Sequence, residues 1–254
     1  MIVLKSPSEL ARMRRAGRIV ARTLVYLRER IRPGISTVEL DRLAEEFIRR
    51  AAGVPSFKGY RGYPASICVS INEELVHGIP GQRRLREGDI VTLDLGAIYQ
   101  GYHSDAALTL GVGEISAEAR RLLEATAGAL SAGIQQARPG NRLGDISAAI
   151  QRYVEASGFS VVREYVGHGI GREMHEPPQV PNFGSPGQGP LLRPGMTLAL
   201  EPMVNAGSPA TRVREDRWTV VSEDGSWCAH FEHTIAIGEA EPEILTDLDL
   251  PDGV

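Results

Sequence analysis

Five residues have the types and surroundings to build a metal centre. His168 sits in VGHGIGREM, residues 166–174, with Gly167 and Gly169 beside it and Gly171 just beyond. Glycines on both flanks let backbone pass close to whatever the imidazole touches, at a conformational cost. The same letters also write a tight turn carrying a surface histidine, and the acidic residues decide between the two. Asp94 lies in the apolar run Thr92-Leu93-Asp94-Leu95-Gly96, and Asp105 stands eleven residues on, at the start of the next strand. Glu201 lies in Leu200-Glu201-Pro202, and Glu232 in Phe231-Glu232-His233-Thr234. A carboxylate in an apolar strand is expensive to bury unpaired, although a salt bridge or a strand-end cap satisfies any one of these alone. Four of them facing one cleft cannot all stay ionised without a cation.

Two Asp, two Glu and one His suit Mn, Fe(II), Co or Zn, and carboxylates bridge paired ions about 3.5–4 Å apart in two-metal sites. A water shared by such a pair is acidified toward hydroxide, so hydrolysis is the expected chemistry. Other chemistries lack their signatures: there is no serine nucleophile elbow or P-loop, and GHGIG lacks the dinucleotide-binding spacing.

The elements that must position these residues follow from capping and periodicity. Ser6-Pro7-Ser8-Glu9 has the form of a capping box with proline at the first helical position. It predicts a helix of about six turns with Leu10, Met13, Val20, Leu24 and Leu27 inward, stopping at Arg32-Pro33-Gly34. Ser36-Thr37-Val38-Glu39 opens a second helix with Leu40, Leu43, Ala44 and Phe47 on one face, ended by Gly53. Strands are expected at 65–71, 90–95 and 106–110, with 96–101 turning between the last two. That hairpin would place Asp94 and Asp105 side by side on one face.

The second half repeats this order. Ser116 caps a helix running to Arg138-Pro139-Gly140, and a further helix covers 143–156 before Gly158. Strands are expected at 160–165 and 196–204, and a hairpin with Asp224-Gly225 at its turn joins 218–222 to 227–237. Arg32-Pro33-Gly34 recurs 106 residues later as Arg138-Pro139-Gly140, and Leu85-Arg86-Glu87-Gly88 recurs 107 residues later as Leu192-Arg193-Pro194-Gly195. Asp94 and Glu201 each stand six residues past the last glycine of that second pair. Two matches at nearly one offset point to an internal duplication. The expected architecture is therefore α/β of the α+β kind: one catalytic domain, residues 1–254, built from halves of about 1–113 and 114–254. Their sheets form a common floor, helices cover the outside, and a cleft opens where the halves meet.

Composition excludes other classes. With 254 residues, 42% of them hydrophobic, the chain can bury a large core. A net charge of -4 leaves no overall basic field, so sequence-specific nucleic-acid binding is not expected. Arginines do cluster at Arg12, Arg14, Arg15, Arg18, Arg22, Arg28 and Arg30, but they alternate with apolar residues as on a solvated helix face. Two cysteines, Cys68 and Cys228, make no disulfide framework. No apolar run is long enough for a membrane span or a signal peptide, and the expectation is a cytoplasmic protein.

Taken together, GHGIG at 167–171, Leu93-Asp94-Leu95-Gly96, Ser104-Asp105, Glu201-Pro202-Met203-Val204-Asn205 and Glu232-His233-Thr234 resemble the type I methionine aminopeptidases of the pita-bread fold. The resemblance runs from the first helix to about Leu245. Prolidase and aminopeptidase P share the five-ligand pattern, whereas GYRGYP at 59–64, ICVSIN at 67–72 and VHGIP at 76–80 are similar to methionine aminopeptidases specifically. The absence of a long insertion between Glu201 and Glu232 resembles type I rather than type II.

The resemblance implies a central curved antiparallel sheet with helices on its outer face. It implies two divalent ions, Co, Mn, Fe or Zn, bridged by Asp105 and Glu232, with His168 and Glu201 on one ion and Asp94 on the other. It further implies that His77 and His175 reach the scissile amide and its developing oxyanion, and that Glu201 shuttles the proton. Phe57, Tyr60, Tyr63, Cys68, Met174 and Trp218 match the methionine side-chain pocket, a setting of aromatic and sulfur surfaces that suits a thioether. The implied activity is removal of the initiator methionine from nascent chains with a small second residue. A monomer is expected, and the resemblance implies a ribosome or nascent-chain contact, with the arginine-rich first helix as one candidate surface.

Two residues depart from the pattern. Met174 stands where many bacterial relatives have phenylalanine, and Phe57 where some have cysteine, so altered tolerance for bulkier first side chains is expected. The alternatives are an X-Pro peptidase or prolidase, which commonly carries a separate N-terminal domain, and a non-catalytic pita-bread binding protein. Loss of ligands would mark the latter, and all five are present.

Overall fold

Helix α1 (Pro7–Arg28) starts where Ser6, in extended backbone, donates its N–H to the Glu9 carboxylate at 2.9 Å. It ends at Arg28, short of the expected Arg32-Pro33-Gly34, because Pro33 disfavours helical backbone at the residue before it and the chain leaves in turns. The structure, a computed structural model, describes residues 1–248. Helix α2 (Thr37–Arg50) follows; Leu40 and Ala44 are buried as expected, while Leu43 and Phe47 are half-buried and Ile48 takes the core position instead. Then come β1 (Val54–Pro55), β2 (Cys68–Ile71), β3 (Glu74–Val76), β4 (Ile90–Tyr99) and β5 (Tyr102–Gly111).

After α3 (Ala117–Gln136) and α4 (Leu143–Ala156) come β6 (Ser160–Val161), β7 (Gly167–Gly169), β8 (Glu176–Val180), β9 (Thr197–Leu200) and β10 (Met203–Asn205). The chain closes with β11 (Thr211–Val213), β12 (Val220–Ser222), β13 (Cys228–His230), β14 (Glu232–Ile237) and β15 (Pro242–Ile244). A nine-stranded sheet of antiparallel pairs runs in the order β1-β4-β5-β14-β9-β7-β8, with β2 also on β4 and β15 also on β14. Two three-stranded sheets, β13-β10-β6 and β11-β12-β3, stand beside it.

Side chains alternate across a strand, and this alternation separates core from site. Val91, Leu93, Leu95 and Ala97 of β4, with Ala106 and Leu108 of β5, join Val20, Leu24 and Leu27 of α1 and Leu40 and Ile48 of α2 in one apolar core. Leu198 and Leu200 of β9, with Ile235 and Ile237 of β14, join Leu122 and Leu130 of α3 and Ile146, Ile150 and Val154 of α4 in another. The helices thus cover one face of the large sheet, and the intervening residues of the same strands point to the other. Matching contacts recur between the halves. Ser36 bridges Arg84 as Arg142 bridges Leu191, and the Gly34 N–H donates to Leu85 O as Gly140 N–H donates to Leu192 O.

Several strand expectations need correction. β4 runs through Gly96 to Tyr99, and only Gln100 and Gly101, both at positive φ, make the turn. The strand expected from Ala65 begins at Cys68, because the Ser66 and Ile67 N–H groups donate to the Asp41 carboxylate instead. The strand expected at 160–165 follows β10 only as far as Val162, whose N–H donates to Met203 O at 3.0 Å, before the chain bends. The strand expected at 196–204 is two strands in different sheets, broken at Glu201-Pro202, where proline has no N–H for the ladder. The expected 218–237 hairpin does not form: β12 pairs with β11 and β3, β13 with β10, and β14 with β5, β9 and β15. The Asp224 carboxylate accepts from the Ser208 and Ser226 N–H groups, which ties the turn to the segment before β11.

Candidate active site

Strand register alone carries the acidic residues to one face. Asp94 lies opposite Ala107, two residues from Asp105, so the two aspartates are diagonal neighbours on that face. Ala107 also lies opposite Glu232, Thr234 opposite Ala199, and Ala199 opposite His168. Counting in steps of two, Asp94, Asp105, Glu232 and His168 share a face, and Glu201 continues it one residue beyond β9. The order across the sheet is Asp94, Asp105, Glu232, Glu201, His168, from β4 to β7. All five line one cavity of about 160 Å³.

This face fits a cation. Ligand atoms of Asp105, His168 and Glu232 lie within 4.8 Å of one another. Asp94 Oδ1, Asp105 Oδ1 and Glu232 Oε1 are buried with no hydrogen-bond partner. Burial pushes all four carboxyl groups up: Asp105 to about 7, against a lowering hydrogen bond from Glu232, and Asp94, Glu201 and Glu232 well above the usual range, these three helped by the charge of their acidic neighbours. His168 is held down to about 3, first by burial and then by His175, so its contact with Glu201 at 3.5 Å is not an ion pair at neutral pH. The carbonyl of Gly169 accepts from His168 Nδ1 at 2.9 Å, which leaves Nε2 with its lone pair toward the carboxylates.

An apolar pocket opens from the acidic face. Phe57, Tyr63, Cys68 and Met174 are buried together, with Tyr60 and Trp218 half-buried against them. Tyr63 and Trp218 meet edge to face at 5.0 Å. The Tyr63 hydroxyl donates to Gly78 O at 3.0 Å, so the ring presents carbon to the pocket. Burial raises the Cys68 thiol far above its ordinary range, and it lines the wall as a neutral group.

His77 and His175 stand at the same cavity. His77 is held at φ 61, a left-handed conformation costly for a residue with a side chain, and burial lowers it to about 4. The His175 Nδ1 pairs with the Tyr60 hydroxyl at 2.9 Å, and its ring lies 4.2 Å from that of His168. Burial, with the charge of Arg61 nearby, lowers its pKa as well. The structure therefore brings every site residue expected from the sequence to one cavity.

It adds residues that the sequence reading left without a role. Arg61 lines the same cavity. Behind His77 and His175 a second space of about 110 Å³ is lined by Val76, Tyr165, Met203 and His230. His230 is buried with neither ring nitrogen hydrogen-bonded. Its signal was present in the letters, two positions before Glu232 in an extended run, where alternation sends both to the same side.

The fold and the ligand set define the class. The pattern of metallopeptidase family M24 matches residues 11–239, and the chain belongs to that family. Family membership and the acidic cluster together make this a centre for divalent metal. Within the family, the chain is 59% identical to methionine aminopeptidase 1 of Bacillus subtilis over 246 residues, covering 97% of this chain and 99% of that one. The methionine aminopeptidase of Thermotoga maritima superposes with a TM-score of 0.96 at 50% identity, covering 97% of this chain and all 100% of that one. Prolidase of Pyrococcus furiosus shares the fold, with a TM-score of 0.80 at 22% identity, and this chain spans 98% of its own length but 66% of the prolidase. The pita-bread fold expected from the sequence is thus the fold observed, and the prolidase alternative is not favoured.

Proposed function

We propose that the chain is a metal-dependent aminopeptidase that releases methionine from the N-terminus of chains whose second residue is small. One observation carries the reading: an apolar, sulfur- and aromatic-lined pocket opens directly onto the five-ligand face within a single cavity. Such a pocket takes one thioether side chain and sets its carbonyl at the acidic face. The space behind His77 and His175, lined by Val76, Tyr165, Met203 and His230, would receive the second side chain.

Asp94, Asp105, Glu232, Glu201 and His168 would hold two divalent ions, Co, Mn, Fe or Zn. The order of the five across the sheet supports this reading: Asp105 and Glu232 stand in the middle, where they would serve both ions, with Asp94 on one side and Glu201 and His168 on the other. When bound, such ions supply Lewis acidity to the scissile carbonyl and to water. The side chains do the rest. Tyr60 fixes the ring of His175 through Nδ1, so that its other nitrogen donates a hydrogen bond to the developing oxyanion. His77, neutral at pH 7, donates near the scissile amide. Glu201, the acidic residue within reach of His168 Nε2, carries the proton from water to the leaving nitrogen.

The two halves, about 1–113 and 114–254, act as one catalytic domain, a reading supported by the matching Gly34 and Gly140 contacts. The substrates are nascent polypeptide N-termini. The enzyme works as a monomer in the cytoplasm, with the arginine face of α1 toward the ribosome. Among the described residues, no helix is long and apolar enough to cross a membrane. The test is metal-dependent release of methionine from Met-Ala-Ser beside Ala-Pro and Met-Pro, with His168→Ala as control. Release from Met-Ala-Ser alone, lost in His168→Ala, is the expected result. No release with any added divalent metal would favour a non-catalytic binding protein.

A further inference from the structure

The loop carrying Met174 and His175 is closed by one carboxylate. Glu176, the first residue of β8, accepts at Oε1 from the Arg172 N–H at 2.8 Å and the Glu173 N–H at 3.3 Å. Its other oxygen, Oε2, meets Lys5 Nζ at 2.5 Å, with side-chain exposures of 11% for Glu176 and 3% for Lys5. A carboxylate this enclosed needs a counter-charge, and Lys5 supplies it from a segment remote in sequence.

Lys5 is itself anchored. Its N–H donates to Gly195 O at 2.7 Å, and the Gly195 N–H donates to Ile237 O at 2.9 Å, at the end of β14. Space for the ion pair depends on Gly171: a Cβ there would lie 2.5 Å from both Glu176 Oε1 and Lys5 Cε. Two further contacts hold the loop from outside: the Arg172 guanidinium lies over the Tyr102 ring at 4.7 Å, and Tyr102 donates to Glu9 of α1 at 2.5 Å.

We infer that the Lys5–Glu176 pair is a latch that positions His175 and Met174 for the reaction. Neither Lys5 nor Glu176 lines the cavity, and the pair acts by fixing the short loop in which Met174 and His175 stand. His175 directly precedes Glu176, and its ring is aimed by the contact of its Nδ1 with the Tyr60 hydroxyl, by packing against the His168 ring, and by the loop backbone. Releasing the carboxylate frees the Arg172 and Glu173 N–H groups and lets the imidazole wander. A displacement of about 1 Å at a group that acts in the transition state costs up to about a hundredfold in rate.

The inference rests on the aminopeptidase reading, so the wild-type protein is assayed in parallel on Met-Ala-Ser with the same metal loading. Lys5→Met and Glu176→Gln are expected to lower kcat about 10- to 100-fold with KM held within about threefold, because an interaction of the transition state is lost rather than ground-state binding. Bound metal per chain stays at the wild-type value. Lys5→Met strands a charge that Glu176→Gln removes, while the amide oxygen still accepts from both N–H groups, so the double variant is expected to recover part of the kcat lost in Lys5→Met. Should Lys5→Met not fold, the Glu176→Gln kinetics decide alone. Wild-type kcat in Glu176→Gln, or a rate loss matched by lost metal or by a proportionate rise in KM, overturns the latch. Absence of turnover in the wild-type protein overturns the aminopeptidase reading instead.

Discussion

Removing the metal should leave a protein that loses stability as the pH rises above about 6.5. In the folded chain the carboxyl of Asp105 titrates at about 7, and those of Asp94, Glu201 and Glu232 lie well above their usual range, burial being the first cause in each. Each group therefore keeps a proton that the unfolded chain gives up above about pH 4. The stability from a group of this kind is full at low pH and drains as the pH climbs toward its folded value.

All six histidines pull the other way. His77 and His103 are lowered to about 4, His168 and His230 to about 3, and His175 and His233 are also lowered, mainly by burial. Below about pH 6.5 the unfolded chain binds protons that these folded histidines refuse, which erodes stability on the acid side. Above about 6.5 only the carboxyl contribution survives. Each carboxyl still protonated costs about 1.4 kcal/mol per pH unit, or about 2 kcal/mol between pH 6.5 and 8. For a chain of this size that lowers the melting temperature by about 4–8 °C per retained proton. Loaded protein escapes this fall because cations keep the carboxylates ionised, so metal binding at pH 7 should also release protons. Thermal melts in chelator and in excess Mn(II) between pH 6.5 and 8 make the comparison. A metal-free melting temperature that holds steady or rises across that range would refute the reasoning.

Three other perturbations probe separate elements. Even with the adaptable Met174 in the pocket wall, methionine should remain the preferred first residue on a peptide panel, with leucine slower by about 10-fold or more; leucine or phenylalanine turned over as fast as methionine sinks the pocket assignment. Arg214 binds Glu73 at 2.7 Å and the buried Glu74 at 2.6 Å, tying the segment after β11 to β3 and hence to His77. Arg214→Met should cost about 2 kcal/mol in urea unfolding, and a loss under about 0.5 kcal/mol would show that Arg83, at 2.9 Å from Glu74, suffices. Reversing Arg12, Arg15 and Arg22 to glutamate should weaken cosedimentation with ribosomes in a salt-dependent way; unchanged cosedimentation would remove α1 as the contact.

What could be read from the letters divides along physical lines. Helices were legible because caps and periodicity are local: α4 spans the expected 143–156, and Ser116 Oγ accepts from the Ala119 N–H at 3.0 Å as an N-cap should. The β4–β5 hairpin was legible because its strands are adjacent in sequence and alternate cleanly. Strand partners far apart in sequence leave no local trace. Asp224-Gly225 has the letters of a hairpin turn, yet β12 finds its partners in β11 and β3. Likewise Pro202 falls inside the strand expected at 196–204, and nothing local marks it as the point where the chain passes from one sheet to another. Nothing in the letters singles out Lys5, just ahead of a helix cap, and only the folded chain shows it enclosed against Glu176.

The glycines around His168 show how the same letters acquire a different cause. The sequence suggests that they let backbone approach whatever the imidazole touches. In the fold they admit neighbouring chain instead. A Cβ on Gly167 would collide with the carbonyl of Ala199 in β9, and one on Gly169 with that of Pro177 in β8. β7 is therefore a three-residue strand held between two partners, and its single side chain, His168, can point only to the acidic face. The imidazole is aimed by strand packing, and its Nδ1 contact with Gly169 O then selects the nitrogen it offers. On this argument a side chain at Gly167 or Gly169 would impair metal binding by parting β7 from its partners, with His168 itself intact.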